Sequence, residues 1–411
     1  MTRIWIINQH ANTPTMPGHT RQYEIANGLS KKGWNIELFA SDYNISKRKF
    51  FFLKKNQISI SQKIKNITWH WLYAYPYKRN NWKRYLNIFS FSFHLFWRFF
   101  FKVIKDKFTK EIPDIILASS PQLPAAFIGL IFAKFLKKPF VVEIRDLWPQ
   151  VLIEQGGKSE NNLLIRLLLL MEKIIYQNAS CVIVLAKGSS AFVAKRGAKN
   201  IVWLPNGPDL KIFSQKNYPE EPKKFSFEYP FKIFYTGAHG DANALNVIVD
   251  AARLLINLPI KIIFVGDGPE KQKLIEYSNG LKNISFQDSV PKKDIPNLLK
   301  DAHAIILTLK GVKLFSYGVS PNKLYDAYAI GRPVITNVPG DINDEVNDNR
   351  LGFTAESDNP QDLFEAIKKL FFTNRSERIL MSNRARKLAE TIYSREKIIY
   401  KYNCLLNELI N

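Results

Sequence analysis

Residues 318–336 read GVSPNKLYDAYAIGRPVIT, a loop, a short helix and the start of a strand. The spacing predicts a helix capped by Ser320 with Pro321 in its first position, where proline loses only an N–H that would be orphaned anyway. Asn322, Lys323 and Asp326 fall within one turn of each other, while Leu324, Ala327 and Tyr328 supply the packing side. Gly331 stops the helix, and Pro333-Val334-Ile335 begins a buried strand. A helix N-terminus with a lysine beside it and a carboxylate one turn on can hold a diphosphate by its charge and a ribose by its hydroxyls. An ordinary strand–helix unit with solvated polar residues would show the same stretch, so the rest of the chain has to decide.

Upstream of it lies a series of strands and helices that starts at Phe231–Tyr235 and runs through helix 244–255, strand 260–265, strand 284–286, helix 295–302 and strand 304–309. Two more glycine turns follow strands in this series. They are Thr236-Gly237-Ala238-His239-Gly240-Asp241-Ala242-Asn243 and Val265-Gly266-Asp267-Gly268-Pro269-Glu270. Glycine lets a ligand's phosphates approach the backbone, and the helix that follows offers its N-terminal dipole. Three such turns at strand ends of one sheet describe a nucleotide site.

The first half repeats the pattern. RIWII (3–7), a Pro/Gly loop, a helix over 21–32 and a strand over 34–40 open a doubly wound unit, and strands at 113–118, 140–144 and 181–185 continue it. The 140–144 strand ends in Arg145-Asp146-Leu147-Trp148-Pro149, charged groups where open α/β sheets keep their ligands. With 411 residues and a polar, Pro-rich stretch at 209–230, the expected organisation is 1–208, 209–390 and a C-terminal helix in 391–411 that packs back on the first domain. Two remote cysteines, Cys181 and Cys404, suggest neither a disulfide framework nor a metal cage, and the opening residues hold no apolar leader, so a cytoplasmic setting is expected.

Charge is concentrated in the first half. Residues 1–200 carry 31 Lys and Arg against 11 Asp and Glu, and residues 201–411 carry 28 against 25. No acid occurs between positions 43 and 105, where KRKFFFLKK (47–55) and KRYLNIFSFSFHLFWRFFFKVIK (83–105) lie. In a helix, Asn87, Ser90, His94, Arg98, Lys102 and Lys105 share a narrow stripe. The tract reads as an interfacial helix whose cations reach headgroup phosphates, as a core helix, or as a span burdened by His94 and Arg98. The interfacial reading takes Lys47, Arg48, Lys49, Phe51, Phe52, Lys54, Lys55, Phe96, Trp97 and Arg98 as the docking residues. Nucleic acid is the other anionic partner the charge allows, but the tract carries none of the known recognition motifs.

The chain resembles the retaining glycosyltransferases of family 4. The residues that carry the likeness are Pro17-Gly18-His19, Leu204-Pro205-Asn206-Gly207, Phe264-Val265-Gly266-Asp267-Gly268-Pro269 and Lys323–Val334. Glu143-Ile144-Arg145-Asp146-Leu147-Trp148-Pro149 is similar to a block of a narrower branch, the N-acetylfucosamine-type amino-sugar transferases of bacterial O-antigen and capsule assembly. The resemblance implies the GT-B fold, two Rossmann-like α/β domains facing a central cleft. It implies a UDP-sugar donor, a polyprenyl-diphosphate-linked saccharide acceptor, and peripheral binding to the cytoplasmic leaflet of the inner membrane. No cofactor is implied. The absence of Asp-x-Asp and the scattered histidines speak against a required metal. Gly18, Arg145, Gly237, His239, Asn243, Gly266, Gly268, Ser320, Pro321, Asn322, Lys323 and Asp326 are the implied donor-binding residues.

Where many relatives have two acids eight apart, this chain has Gly318 and Asp326, and the common cations of the first glycine turn are replaced by Ala238 and Asn243. Lys323, His239 and backbone dipoles are therefore expected to meet the charge of the leaving diphosphate. Asp146 is the candidate to orient or deprotonate the acceptor, and His19 to touch the transferred sugar. A UDP-sugar epimerase on the same fold is the competing enzyme class, and a basic membrane- or nucleic-acid-binding protein the competing non-enzyme.

Overall fold

The computed structural model describes residues 2–16, 20–78, 81–109, 111–214 and 218–411, without the side chains of 107–109. The chain forms two compact units. One comprises Met1–Leu185, Ser189–Leu204 and Ile399–Asn411; the other comprises Ala186–Gly188 and Pro205–Ile398.

The first unit holds an eight-stranded sheet. From edge to edge its strands are Ile201–Trp203, Cys181–Val184, Phe140–Ile144, Ile115–Ser119, Arg3–Ile7, Asn35–Ser41, Ile67–Leu72 and Ser59–Ile64. All neighbours pair in parallel except the last two, which form an antiparallel hairpin. Runs such as Ile115-Ile116-Leu117 and Phe140-Val141-Val142 are buried on both faces, as parallel strands covered by helices require. The strand order reverses between Arg3–Ile7 and Ile115–Ser119, so the loop after residue 7 and the Arg145-Asp146 turn lie at the C-terminal end of the sheet near its switch point.

A buried knot fixes that end. The Glu143 carboxylate, fully enclosed, accepts from Arg21 Nε (3.1 Å), Gln22 Nε2 (2.6 Å), Ser119 Oγ (3.0 Å) and the Tyr402 hydroxyl. Burial alone would raise its pKa, but the Arg21 and Arg145 guanidinium groups and these donors hold it below the usual range. Arg21 also donates to the Leu204 carbonyl. The C-terminal helix Arg395–Ile410 thus reaches the start of helix Arg21–Ser30 through Tyr402, and Asn403 accepts from the Trp34 indole at 2.9 Å.

Helix Lys83–Thr109 corrects one expectation. Its polar stripe, Lys105 excepted, faces the protein. Asn87 accepts from Gln9 and donates to the Tyr75 carbonyl, Ser90 Oγ accepts from the Tyr75 amide, and Lys102 bridges Glu37 (2.9 Å) and Asp106 (2.8 Å). Arg98 donates to Ser61 Oγ (2.9 Å) and His70 Nδ1 (3.0 Å), which leaves His70 Nε2 to donate to Glu37 (2.7 Å). Burial would raise Glu37, yet the His70 hydrogen bond and the Lys102 ammonium outweigh it and its pKa falls to about 2. The sheet beneath carries a carboxylate and an imidazole, so the helix turns Arg98 and Lys102 toward them, buries Phe91, Leu95 and Phe99 beside them, and leaves Phe93, Trp97 and Phe101 outward. Arg98 is consequently not a surface cation. Among the described residues no helix is long and apolar enough to cross a membrane.

The 47–55 segment is held by one buried carboxylate. Asp42 accepts the backbone N–H groups of Phe51, Phe52 and Leu53, while Phe50 stacks on Tyr73 and Phe52 packs on Trp71. Lys47, Arg48, Lys49, Lys54 and Lys55 stay exposed around it.

The second unit has six parallel strands in the order Ile284–Gln287, Ile260–Val265, Phe231–Thr236, Ala304–Leu307, Val334–Thr336 and Gly352–Thr354. This is the doubly wound order, with its switch point between Phe231–Thr236 and Ala304–Leu307. Its core is an Ile, Val, Leu and Phe cluster between the sheet and helices Leu245–Leu254 and Pro360–Phe372.

Replacing Arg98 with Met should lower stability to urea by about 1–2 kcal/mol, the worth of hydrogen bonds to a charged donor in a half-buried setting. Unchanged stability would mean that the inward stripe does not hold this helix.

Candidate active site

The second unit places two glycine turns back to back at its switch point. The Gly237 amide donates to the Val265 carbonyl (2.9 Å), the His239 amide to the Asp267 carbonyl (2.8 Å), and the Glu270 amide to the His239 carbonyl (3.0 Å). The backbones run so close that a Cβ on Gly266 would lie 1.8 Å from the Gly237 oxygen, and one on Gly268 2.3 Å from the His239 oxygen. Glycine is required here by close approach.

Under this crossing sits Lys323, in the first turn of helix Asn322–Ile330. Its Nζ donates to Asn243 Oδ1 (2.7 Å) and Tyr235 Oη (2.9 Å) and lies 4.4 Å from the centre of the Tyr235 ring. Tyr235 Oη and Asn243 Nδ2 in turn both donate to the Ala238 carbonyl, at 2.8 and 3.0 Å. Thr308, just past the strand across the switch point, ties the Asn243 carbonyl (2.7 Å). The ammonium thus meets neutral oxygens and a ring face. Burial pushes its pKa down to about 7. An anion arriving at this turn would find a cation kept in place and uncompensated.

Asp326, one turn further along, is 14% exposed and has the Lys292 ammonium 3.5 Å from Oδ1. Lys323 and Asp326 therefore share one end of one unit with Gly237, Asn243, Gly266 and Gly268, as the sequence predicts. Asn322 is exposed at the helix start. Two details differ. The helix begins at Asn322 with Pro321 before it, and Ser320 does not cap it: its hydroxyl accepts from the Asn206 amide (3.2 Å) and pairs with the Tyr325 hydroxyl (2.9 Å). The loop from Leu204-Pro205-Asn206 claims that side chain first.

His239 is the second difference. Its ring is fully buried beside Tyr235, Phe264 and Phe286. Burial, with Lys271 and Lys323 nearby, lowers its pKa against the opposing pull of Asp267. Its enclosed ring disfavours the charged form, and its main chain clamps the two turns together. Sequence reasoning missed Tyr235 and Lys292. Tyr235 stands at the next-to-last position of a strand, just before Thr-Gly, and that position was its one available signal.

In the first unit Arg145 and Asp146 follow the strand whose Glu143 is knotted to Arg21. The Arg145 amide donates to Ser120 Oγ (3.1 Å). Solvent reaches Asp146, but the protein packed around its carboxyl raises its pKa, with Arg145 opposing. Gly18 and His19 lie outside the described residues.

Comparison with known proteins covers both halves of the chain. Residues 18–207 match the model of the glycosyl transferase 4-like domain, and residues 230–372 match the glycosyl transferases group 1 model. Together they take in most of the chain, with all of the second sheet and all of the first but its strand Arg3–Ile7. The protein is a glycosyltransferase of the GT-B type. An uncharacterized glycosyltransferase of Methanocaldococcus jannaschii is 23% identical over 391 residues, 92% of this chain and 91% of that one. WcaI of Escherichia coli, named for colanic acid biosynthesis, is 24% identical over 276 residues, 62% of this chain and 63% of its own. Among solved structures, sucrose-phosphate synthase of Thermosynechococcus elongatus superposes with a TM-score of 0.73 at 17% identity, covering 100% of this glycosyltransferase and 99% of the synthase. HepE of Anabaena, solved with UDP-glucose, gives 0.65 at 15% identity with both chains fully covered. These likenesses establish the fold.

The Gly266→Ala variant should lose about 3 kcal/mol or more, because its methyl group cannot coexist with the Gly237 carbonyl. Thermal unfolding would check this, and a wild-type melting temperature would refute the crossing.

Proposed function

We propose that this glycosyltransferase moves an N-acetylated amino sugar from a UDP-sugar, with retention of configuration, to a polyprenyl-diphosphate-linked saccharide in O-antigen or capsule assembly. The observation that carries the reading is Lys323, a cation enclosed beneath two glycine turns with neutral partners, one helical turn from Asp326. A nucleoside diphosphate fits that pair, the diphosphate at the lysine and the ribose hydroxyls at the carboxylate. UDP-glucose in HepE and the colanic acid role in the name of WcaI support the donor and pathway class.

In the reaction the anomeric C–O bond breaks and its electron pair goes to the diphosphate. Negative charge thus grows where Lys323 and the backbone N–H groups of Asn322 and Lys323 at the helix start can meet it. The acceptor hydroxyl attacks on the face the diphosphate leaves, and its proton passes to Asp146, whose raised pKa suits a proton acceptor. No metal is invoked.

The acceptor's lipid sets the surroundings. Trp82, Leu86, Phe93, Trp97, Phe101 and Ile104 lie open along one side of helix 83–109, each between 38% and 63% exposed. Cations of the 47–55 segment are exposed nearby, for Tyr73, on which Phe50 stacks, also meets His94 of the helix. Aromatic side chains framed by Lys and Arg, with no acid from 43 to 105, fit an anionic bilayer surface, here the cytoplasmic leaflet of the inner membrane.

Incubation with membranes and a panel of UDP-sugars, followed by mass analysis of lipid-linked products, tests the function. A product isomeric with the donor and independent of lipid would mark an epimerase instead. For docking, wild-type protein should sediment with anionic vesicles. Trp97→Ser with Phe101→Ser, or neutral replacements at Lys47, Arg48, Lys49, Lys54 and Lys55, should release it. Protein that stays in the supernatant at every salt concentration would refute docking.

A pH test isolates Lys323. The diphosphate of UDP-glucose keeps its charge across the neutral range, and the anion favours the ammonium, so its binding raises the lysine pKa above about 7. Affinity should be flat below pH 6 and fall as pH rises above 7, by up to about tenfold per unit. Lys323→Met should bind more weakly at pH 6 and show no such slope in calorimetry. Asp326→Ala should cost about 1.5–3 kcal/mol of nucleotide affinity.

A further inference from the structure

The Lys292–Asp326 contact is unusual in its reach. Lys292 opens a single 3-10 turn, Lys292–Asp294, in the loop after Ile284–Gln287, the edge strand of the second sheet. Asp326 belongs to a helix that follows Ala304–Leu307, on the other side of Ile260–Val265 and Phe231–Thr236. An edge loop therefore delivers an ammonium across the nucleotide end of the sheet to the carboxylate assigned to the ribose. The loop itself is anchored at its root, where Lys271 pairs with Asp288 at 2.6 Å, and at its turn, where the Asp294 amide donates to the Pro291 carbonyl at 2.9 Å. The Lys292 side chain is 44% exposed and the Asp326 side chain 14%. One partner is a well-hydrated cation and the other a nearly enclosed acceptor.

Resting on the nucleotide reading above, we propose that Lys292 is a built-in counter-ion that occupies the ribose carboxylate in the empty enzyme and is displaced by the donor's ribose. Lys292 thereby sets donor affinity by competing with the ribose hydroxyls for Asp326. A half-exposed ion pair is weak because water screens it and a long side chain must be ordered. Two hydroxyls donating to a largely buried carboxylate form the stronger set. The exchange runs toward ribose, and the freed ammonium returns to water, which already reaches it. A nucleotide without ribose hydroxyls has nothing to offer in the exchange and leaves the pair in place. The empty site then holds its own counterparts at both ends, Asn243 and Tyr235 on Lys323 and the Lys292 ammonium 3.5 Å from Asp326.

The test compares UDP with 2′,3′-dideoxy-UDP by calorimetry on the full chain. Lys292→Met should bind UDP about three- to fivefold more tightly than wild type and dideoxy-UDP equally well. The gain should vanish when Asp326→Ala is combined with it. If wild type binds no UDP, the nucleotide reading fails. If wild type binds UDP but Lys292→Met binds it no better, or if it gains equally for the dideoxy analogue, the counter-ion proposal alone is overturned. Lys292→Arg, which keeps the charge, should remain close to wild type and guards against a loop that has simply refolded.

Discussion

A lysine held in protein with neutral oxygens for company is the constraint around which the second unit is built. Lys323 loses hydration on burial and regains only the Asn243 and Tyr235 oxygens and a ring face, so its proton is loosely held. Those two partners are themselves fixed by donating to the Ala238 carbonyl, and that carbonyl belongs to a turn whose backbone is pressed against a second glycine turn. Tyr235, Asn243, Gly266 and Gly268 are thus linked parts of one device, which keeps a cation ready at the end of a helix dipole.

The first unit solves a different problem. Helix 83–109 has to sit on a sheet that carries a buried Glu37 and His70, so it presents Arg98 and Lys102 inward and is left with tryptophan and phenylalanine facing out. The helix buries an ordinary apolar stripe of Ile88, Phe91, Leu95, Phe99 and Val103, and beside it a polar stripe supplies partners for the charges already buried in the sheet. With both stripes turned inward, the remaining side of the helix exposes Phe93, Trp97 and Phe101.

The Glu143 knot links the two ends of the first unit. A single carboxylate two residues before Arg145 takes donors from the helix that follows the first strand, from the neighbouring strand and from the C-terminal helix. The placement of the Arg145-Asp146 turn therefore depends on residues from positions 21 to 402. No local pattern could have announced that dependence.

Much of the architecture was legible in the chain. Apolar strand runs, glycine turns and helical spacing follow from local rules of period and backbone freedom, and these marked both α/β units and brought Lys323, Asp326, Gly237, Gly266 and Gly268 together. The hairpin of residues 59–72 at the sheet edge was missed, its first strand being only half buried and weakly patterned. What the sequence could not determine was the direction in which polar side chains would be spent. Ser320 looked like a cap, His239 like a cation and Arg98 like a headgroup ligand, since each had the right type at the right spacing. Tertiary contacts assigned Ser320 to Asn206, buried the His239 ring among aromatics and turned Arg98 toward Ser61 and His70. Spacing along a chain determines which face of an element a residue shares. Only the packed neighbours, as far off as Asn206 is from Ser320, determine whether that face meets water, protein or ligand.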